Sequence, residues 1–279
     1  MCIRDSPLFS PFQRLNQQDI HSINTLKGNH ADVFYCHPIL SETWIAGFVM
    51  GNIIEQANEL GLVCVDTQQH YTGHGMLEES LQLIRSLAGK FIAGMAPMHA
   101  PLAERVIHAT ADYTIVEDLH ISEGAVEGAL NAIKAGANII TDVKMVQVGI
   151  KEDKIRRYGG RVINYLTDKR TFLYAEAHHS NLTEASMATA VNDGIEGDIV
   201  VIGNSPTATL YIARVVQERN LKPAVIIATP VGFVKAAESK KRVEELKVPW
   251  ITLRGHRGGS ALAVALVNTI ISMLEKETE

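Results

Sequence analysis

From about residue 120 to the C-terminus the chain alternates between two hydrophobic rhythms. Short apolar runs read as strands: Asn138-Ile139-Ile140-Thr141-Asp142-Val143, Arg161-Val162-Ile163-Asn164-Tyr165-Leu166, Asp198-Ile199-Val200-Val201-Ile202-Gly203, Ala224-Val225-Ile226-Ile227-Ala228-Thr229 and Trp250-Ile251-Thr252-Leu253. The run ending at Gly203 is apolar throughout, as a strand buried on both faces should be. Between the strands, helices are expected from Glu123 to Ala135, from Asn181 or Thr183 toward Val191, from Pro206 to Glu218, from Ala236 to Leu246 and from Ser260 to Glu275. Ser122 is the expected N-cap of the first and Gly136 its stop, while Ser205 and Pro206 open the third. Strands alternating with helices predict a doubly wound α/β sheet.

Two more helices precede this region. From Gly75 to Gly89, Leu77, Leu81, Ile84 and Leu87 form an apolar stripe, and Ser80 falls on it. That hydroxyl either bonds back to the preceding turn or faces a ligand. The stretch Ala100 to Asp112 starts with Pro101, a good first-turn residue. Its Arg105, His108 and Asp112 share one face by their spacing, and Val106 and Ala109 are expected to point toward a core. Such a stripe is either a solvated face or a site.

Residues 1–71 read as part of another domain. Asp32-Val33-Phe34-Tyr35-Cys36 is a strand, Trp44 to Leu60 a helix stopped by Gly61, and Leu62-Val63-Cys64-Val65 a second strand. This βαβ remnant and the Thr72-Gly73-His74 exit resemble the end of a sirohydrochlorin cobaltochelatase. His37, His70 and His74 are too scattered for a metal site, and Ser41-Glu42-Thr43-Trp44 stands where such a chelatase needs a histidine. Residues 72–279 read as one domain, with no linker or repeat inside it.

Composition narrows the function. The chain has 279 residues, 46% of them hydrophobic, and a formal net charge of −5. An acidic balance argues against a nucleic-acid partner. No apolar run reaches the ~18 residues of a membrane span. Cys2, Cys36 and Cys64 offer neither a disulfide framework nor paired metal-ligand spacing, which fits a cytoplasmic protein. Met1-Cys2-Ile3-Arg4-Asp5-Ser6 reads as an adapter-derived leader, with the natural N-terminus missing, and no signal peptide is evident.

In an open α/β sheet ligands bind at the carboxyl ends of strands. Three of these ends stand out. In Gly203-Asn204-Ser205-Pro206-Thr207 a glycine permits close approach, and the N–H groups of the following helix start suit an anion. Thr229-Pro230-Val231-Gly232-Phe233 repeats the strand–turn–helix form. Arg254-Gly255-His256-Arg257-Gly258-Gly259-Ser260 offers two guanidiniums beside two glycines, a combination suited to anionic oxygens. Each is also an ordinary turn taken singly; together they point to a polyanionic ligand. No Gly-x-Gly-x-x-Gly follows a strand and no Walker lysine is present, so a nucleotide is not the natural candidate.

These residues resemble the precorrin-8X methylmutase family and its anaerobic counterpart, the cobalt-precorrin-8 methylmutases. The likeness rests on Glu78-Glu79-Ser80-Leu81 with Ile84-Arg85, on Arg105 to Asp112, and on Ala135-Gly136-Ala137 through Thr141 to Val146. It continues in Ile202 to Ala208, in Pro230 to Val234 with Ala237-Glu238-Ser239-Lys240, and in Arg254 to Ser260. The resemblance implies a flavodoxin-like three-layer α/β/α fold with a mostly parallel sheet, a homodimer, and no organic cofactor or metal. It implies an isomerase that moves a methyl group from C11 to C12 of precorrin-8 or cobalt-precorrin-8, giving hydrogenobyrinic or cobyrinic acid. The family's catalytic histidine aligns with His108, and its substrate-contacting serine and arginine with Ser80 and Arg105. Gly203, Asn204, Thr207, Gly232, Arg254, Arg257, Gly258, Gly259 and Ser260 complete the expected substrate-binding set.

A histidine suits this reaction, because protonating a pyrrolic nitrogen makes the ring electron-poor and eases the shift. A positioned general acid contributes about 10²- to 10⁴-fold. Asp112, one turn on, is expected to orient His108. The chain departs from the family pattern at Glu184, where arginine is usual, at Ser205, where alanine is usual, and at His256, where arginine is usual. A carboxylate at 184 would repel a carboxylated substrate. Two alternatives follow: a corrinoid carrier without turnover, and a remnant cobaltochelatase activity.

Overall fold

Helices and strands alternate through residues 73–277, the part of the chain described by the structure, a computed structural model. The expected elements within residues 1–71, the chelatase-like segment, His37, His70 and the His74 side chain lie outside the described residues. In chain order come α1 (Gly73–Ile92), α2 (Ala100–Thr110), a 3-10 turn (Tyr113–Asp118), β1 (Leu119–Ile121), α3 (Ala125–Lys134) and β2 (Ile139–Thr141). Then follow α4 (Lys144–Gly149), α5 (Glu152–Arg157), β3 (Val162–Asn164), α6 (Lys169–His178), α7 (Leu182–Asp193) and β4 (Ile199–Ile202). The chain closes with α8 (Pro206–Arg219), β5 (Val225–Ala228), α9 (Ala236–Glu244), β6 (Trp250–Leu253) and α10 (Ser260–Glu277).

The strands form one sheet in the order β1-β6-β5-β4-β2-β3. Strands β2 to β6 run parallel, and β1 joins the edge antiparallel to β6, with Leu119 opposite Leu253. The order doubles back at β2, which has β3 on one side and β4 on the other. A doubly wound, mostly parallel sheet is therefore present, as the alternating pattern requires.

Side chains of successive strand residues go to opposite faces. Ile139, Ile199, Val201, Val225, Ile227, Ile251 and Leu253 pack with α2, α3 and α10. Ile140, Val200, Ile202, Ile226 and Ala228 pack with α7 and α8. β2, β4 and β5 are buried at every position, which is why they show no polar–apolar alternation; the buried Thr141 of β2 donates its hydroxyl to the Ile163 carbonyl at 3.2 Å. Leu102, Ala103, Val106 and Ile107 bury one side of α2, which lies along α10. Arg85 of α1 donates from Nε and Nη2 to the two oxygens of the buried Glu104 at 2.8 and 2.9 Å, a bidentate clamp between α1 and α2.

The structure differs from the sequence pattern at several points. Ser122 does not cap α3: its hydroxyl accepts from the Trp250 N–H at 2.8 Å, and Gly124 at φ +73° stands at the N-cap. Leu87 is 67% exposed, and Ala88 takes the buried place in that turn of α1. Ala109 is exposed rather than core-facing. β1, α4, α5 and α6 went unread; β1 spans three residues, and α4 and α5 six each, too few to show a period.

Gly258 marks where two strand ends touch. A Cβ there would lie 2.3 Å from the Thr229 carbonyl oxygen and 2.9 Å from that of Pro230, at φ +157°. Gly258→Ala is expected to cost about 2–4 kcal/mol, measured as a lower urea midpoint at unchanged slope. Gly124→Ala, with nothing within 4 Å, should cost only about 1–2 kcal/mol for its left-handed backbone.

Candidate active site at the carboxyl edge of the sheet

The point where the strand order reverses lies between the carboxyl ends of β2 and β4, the usual ligand crevice of such a sheet. Asp142, directly after β2, is fully buried. Its Oδ1 accepts from the Gly203 N–H at 3.0 Å, and its Oδ2 accepts from Asn204 and Ser205, each at 2.9 Å. Burial raises the Asp142 carboxyl above its ordinary value, by more than the backbone donors lower it. Ser205 then caps α8, its Oγ accepting from the Ala208 N–H at 3.2 Å.

Three of the donors expected to be free at this turn are thus taken by Asp142. Gly203 is buried by packing: a Cβ would meet Val146 at 2.7 Å and the Ser260 Cα at 2.8 Å, so its absence lets α10 start against β4. Asn204 is exposed. Thr207 accepts from Asn181 Nδ2 at 2.8 Å and meets Ser205 Oγ at 2.9 Å.

The last turn of α2 carries the expected chemistry. His108 is exposed and Arg105 half-buried on this helix. Partial burial, and then the Arg105 guanidinium, hold the His108 imidazole below its ordinary value. Among the described residues Arg105 has no carboxylate partner, so its charge is available to a ligand.

Asp112 does not serve His108. The chain leaves the helix at Ala111, φ +55°, so Asp112 is off the helical face. Its Oδ1 instead caps the 3-10 turn, accepting from the Thr114 N–H at 2.9 Å and Oγ1 at 2.7 Å. Its Oδ2 accepts from Arg257 Nη1 at 2.7 Å. These hydroxyl, amide and guanidinium donors hold Asp112 below the usual carboxylate range.

Both arginines of the last strand end are ion-paired within the chain. Arg257 Nε reaches Asp118 at 2.7 Å, and Arg254 grips Glu244 through Nε and Nη2. Glu244 also accepts from the Thr252 hydroxyl at 2.7 Å. Both guanidinium groups pair with the chain's own carboxylates while staying 53% and 39% exposed.

The glycine turns meet as the strand ends imply. Gly259 N–H donates to the Thr229 carbonyl at 2.7 Å, and Gly232 N–H to the His256 carbonyl at 3.1 Å. His256 Nδ1 lies 3.0 Å from the Gly232 oxygen, its ring stacked on Phe233 at 5.1 Å. Ser260 begins α10 beside Gly203, and Ser80 is half-buried on α1. Glu184, at the start of α7, lines a cleft of about 580 Å³ with Thr207, Tyr211, Arg214, Glu238 and Arg242. Among the described residues no group of three or more His, Cys, Asp or Glu side chains gathers as a metal site, and no helix is long and apolar enough to cross a membrane.

Sequence reasoning missed Asp142 and Lys240. An aspartate directly after the buried strand Ile139-Ile140-Thr141 was a usable signal for the first. For the second, the signal was the spacing of Ala236, Ser239, Lys240 and Val243, which places Lys240 on the buried side of α9.

Known proteins resemble this chain in sequence and fold. A family model described as precorrin-8X methylmutase matches residues 76–273. The cobalt-precorrin-8 methylmutase of Priestia megaterium is 40% identical over 172 residues, covering 61% of this chain and 75% of the relative. That of Methanocaldococcus jannaschii is 38% identical over 196 residues, 70% of this chain and 89% of the relative. A precorrin-8X methylmutase from Pseudomonas aeruginosa is 37% identical over 205 residues, 73% and 97%. A crystal structure of the Thermus thermophilus precorrin-8X methylmutase superposes with a TM-score of 0.68 at 35% identity, covering 74% of this chain and 98% of that one.

The electrostatics of α2 give a direct test. Followed by NMR, the His108 ring should titrate below the ordinary histidine value, and Arg105→Gln should move the midpoint up. A midpoint unmoved by that substitution would remove Arg105 from the account.

Proposed function

Because the chain belongs to the precorrin-8X methylmutase family, a family of isomerases, we propose that it moves a methyl group from C11 to C12 of cobalt-precorrin-8 or precorrin-8. The product is cobyrinic or hydrogenobyrinic acid. The observation that carries this reading is the family match over residues 76–273, with His108 and an uncommitted Arg105 on one helix inside it. In the same reading the enzyme works as a cytoplasmic homodimer, and residues 1–71 are a separate chelatase-like segment.

His108 acts as the general acid. Its imidazolium hydrogen-bonds or protonates a pyrrolic nitrogen, draws π density from the ring and lowers the barrier to the 1,5-shift. The proton returns once the methyl group has settled on C12. Arg105 holds a carboxylate of the substrate, since a guanidinium does not give up its proton. Free, His108 is mostly neutral at pH 7, because its value is held down. A bound polycarboxylate adds negative charge nearby and draws the proton back onto the ring. The acid thus forms in the complex, where it is needed. Ser80, Asn204 and Thr207 remain candidates for substrate contact in this proposal.

A second reading, a corrinoid carrier without turnover, is favoured by Glu184 in the cleft beside Thr207. Single-turnover absorbance with cobalt-precorrin-8 separates the two: conversion to the cobyrinate spectrum supports the isomerase, and a bound but unchanged spectrum supports the carrier. His108→Ala should keep binding and lose about 10²- to 10⁴-fold in rate; full activity would end the assignment. In the active enzyme kcat/KM should fall as pH rises through the lowered free-enzyme value of His108. The corresponding fall in kcat should come at higher pH, and coincident limbs would contradict recharging by substrate.

A further inference from the structure

Lys240 is the largest fully buried side chain of the described residues, on the inner face of α9. Its Nζ donates to the backbone carbonyl of Arg257 at 2.8 Å. We propose that Lys240 is a positioning residue: its ammonium fixes the Arg257 backbone, and through it the guanidinium that ties down the end of α2 bearing His108. The proposal rests on the reading of His108 given above.

The linkage can be followed atom by atom. Lys240 holds the Arg257 oxygen, and the turn passes at once into Gly258 and Gly259. The Arg257 side chain spans Asp118 through Nε and Asp112 through Nη1, and it also reaches the Thr114 hydroxyl at 3.0 Å and carbonyl at 3.3 Å. Asp112 in turn takes the Thr110 Oγ1 on its own N–H at 3.2 Å, and Thr110 Oγ1 donates to the Val106 carbonyl at 2.9 Å. His108 lies between Val106 and Thr110. A sideways slip of the Arg257 backbone would therefore release the helix turn that aims the imidazole.

The surroundings argue that the charge is kept for this purpose. Burial lowers Lys240 to about 8, against the pull of Asp118 and Glu244. Those carboxylates are already shared with Arg257 and Arg254. A buried ammonium with no carboxylate of its own is costly, and an apolar residue of like volume is often as stable or more so. Stability alone does not select lysine here.

The test uses the full chain and substitutes Lys240→Met and Lys240→Gln. Lys240→Met is expected to keep its circular dichroism and its thermal midpoint within a few degrees, yet lose tenfold or more in kcat with cobalt-precorrin-8 and little in KM. Lys240→Gln, which still offers an N–H to the Arg257 carbonyl, should recover part of that rate. Combining Lys240→Met with Asp112→Ala should cost no more than the worse single variant, because both cut one linkage. A kcat equal to the parent's, or losses that multiply, would overturn the proposal. Without substrate, the His108 NMR titration should shift or broaden in Lys240→Met and in Asp112→Ala; an unchanged His108 signal in both also overturns it. That readout separates failure of this linkage from failure of the isomerase reading, in which the parent chain itself shows no conversion. If Lys240→Met does not fold, Lys240→Gln with Asp112→Ala carries the same comparison.

Discussion

A single carboxylate inside the sheet sets the terms for the rest of the structure. Asp142 answers the N–H groups of Gly203, Asn204 and Ser205 at the place where the strand order reverses. Those donors would otherwise be left without partners beside an apolar core, at a cost of about 1–3 kcal/mol each. By satisfying them, Asp142 fixes the turn that leads from β4 into α8. A second polar cluster lies where the end of α2, the 3-10 turn and the last strand end come together.

At that rim the charges divide into two sets. Arg254 and Arg257 meet Glu244, Asp118 and Asp112, and they hold the turn after β6 against the segment that precedes β1. Arg105 stays outside this set, and its field reaches His108 instead. The two kinds of arginine look alike in the sequence, but their work differs. Arg254 and Arg257 are paired with the chain's own carboxylates, and Arg105, among the described residues, is not.

The fold was legible where burial imposes a period. β4 and β5 announce themselves as unbroken apolar runs because both faces are covered, and Ser205-Pro206 announces α8 because capping is a local matter. β1 was not legible, since Leu119-His120-Ile121 gains its strand form only by pairing with β6. The same limit applied to the site. His108 and Arg105 could be placed on one face from spacing alone. Asp112 could not, because the helix ends at Ala111 in a left-handed turn that spacing does not reveal. Nor does any local pattern say whether Arg257 looks outward or inward; its partners lie 139 and 145 residues away.

That separation bears on how the molecule comes into being. The helix with the imidazole is made early, but the guanidinium that fastens its end belongs to a turn formed after the last strand. During synthesis the first half of the rim must wait, unfastened, while more than a hundred residues of sheet and helix are added. Contacts of such long range are slow to form and leave partly assembled chains exposed. A ribosome-bound chain that stops short of β6 would carry His108 on its helix without the Arg257 brace, which is added only with the turn after the last strand.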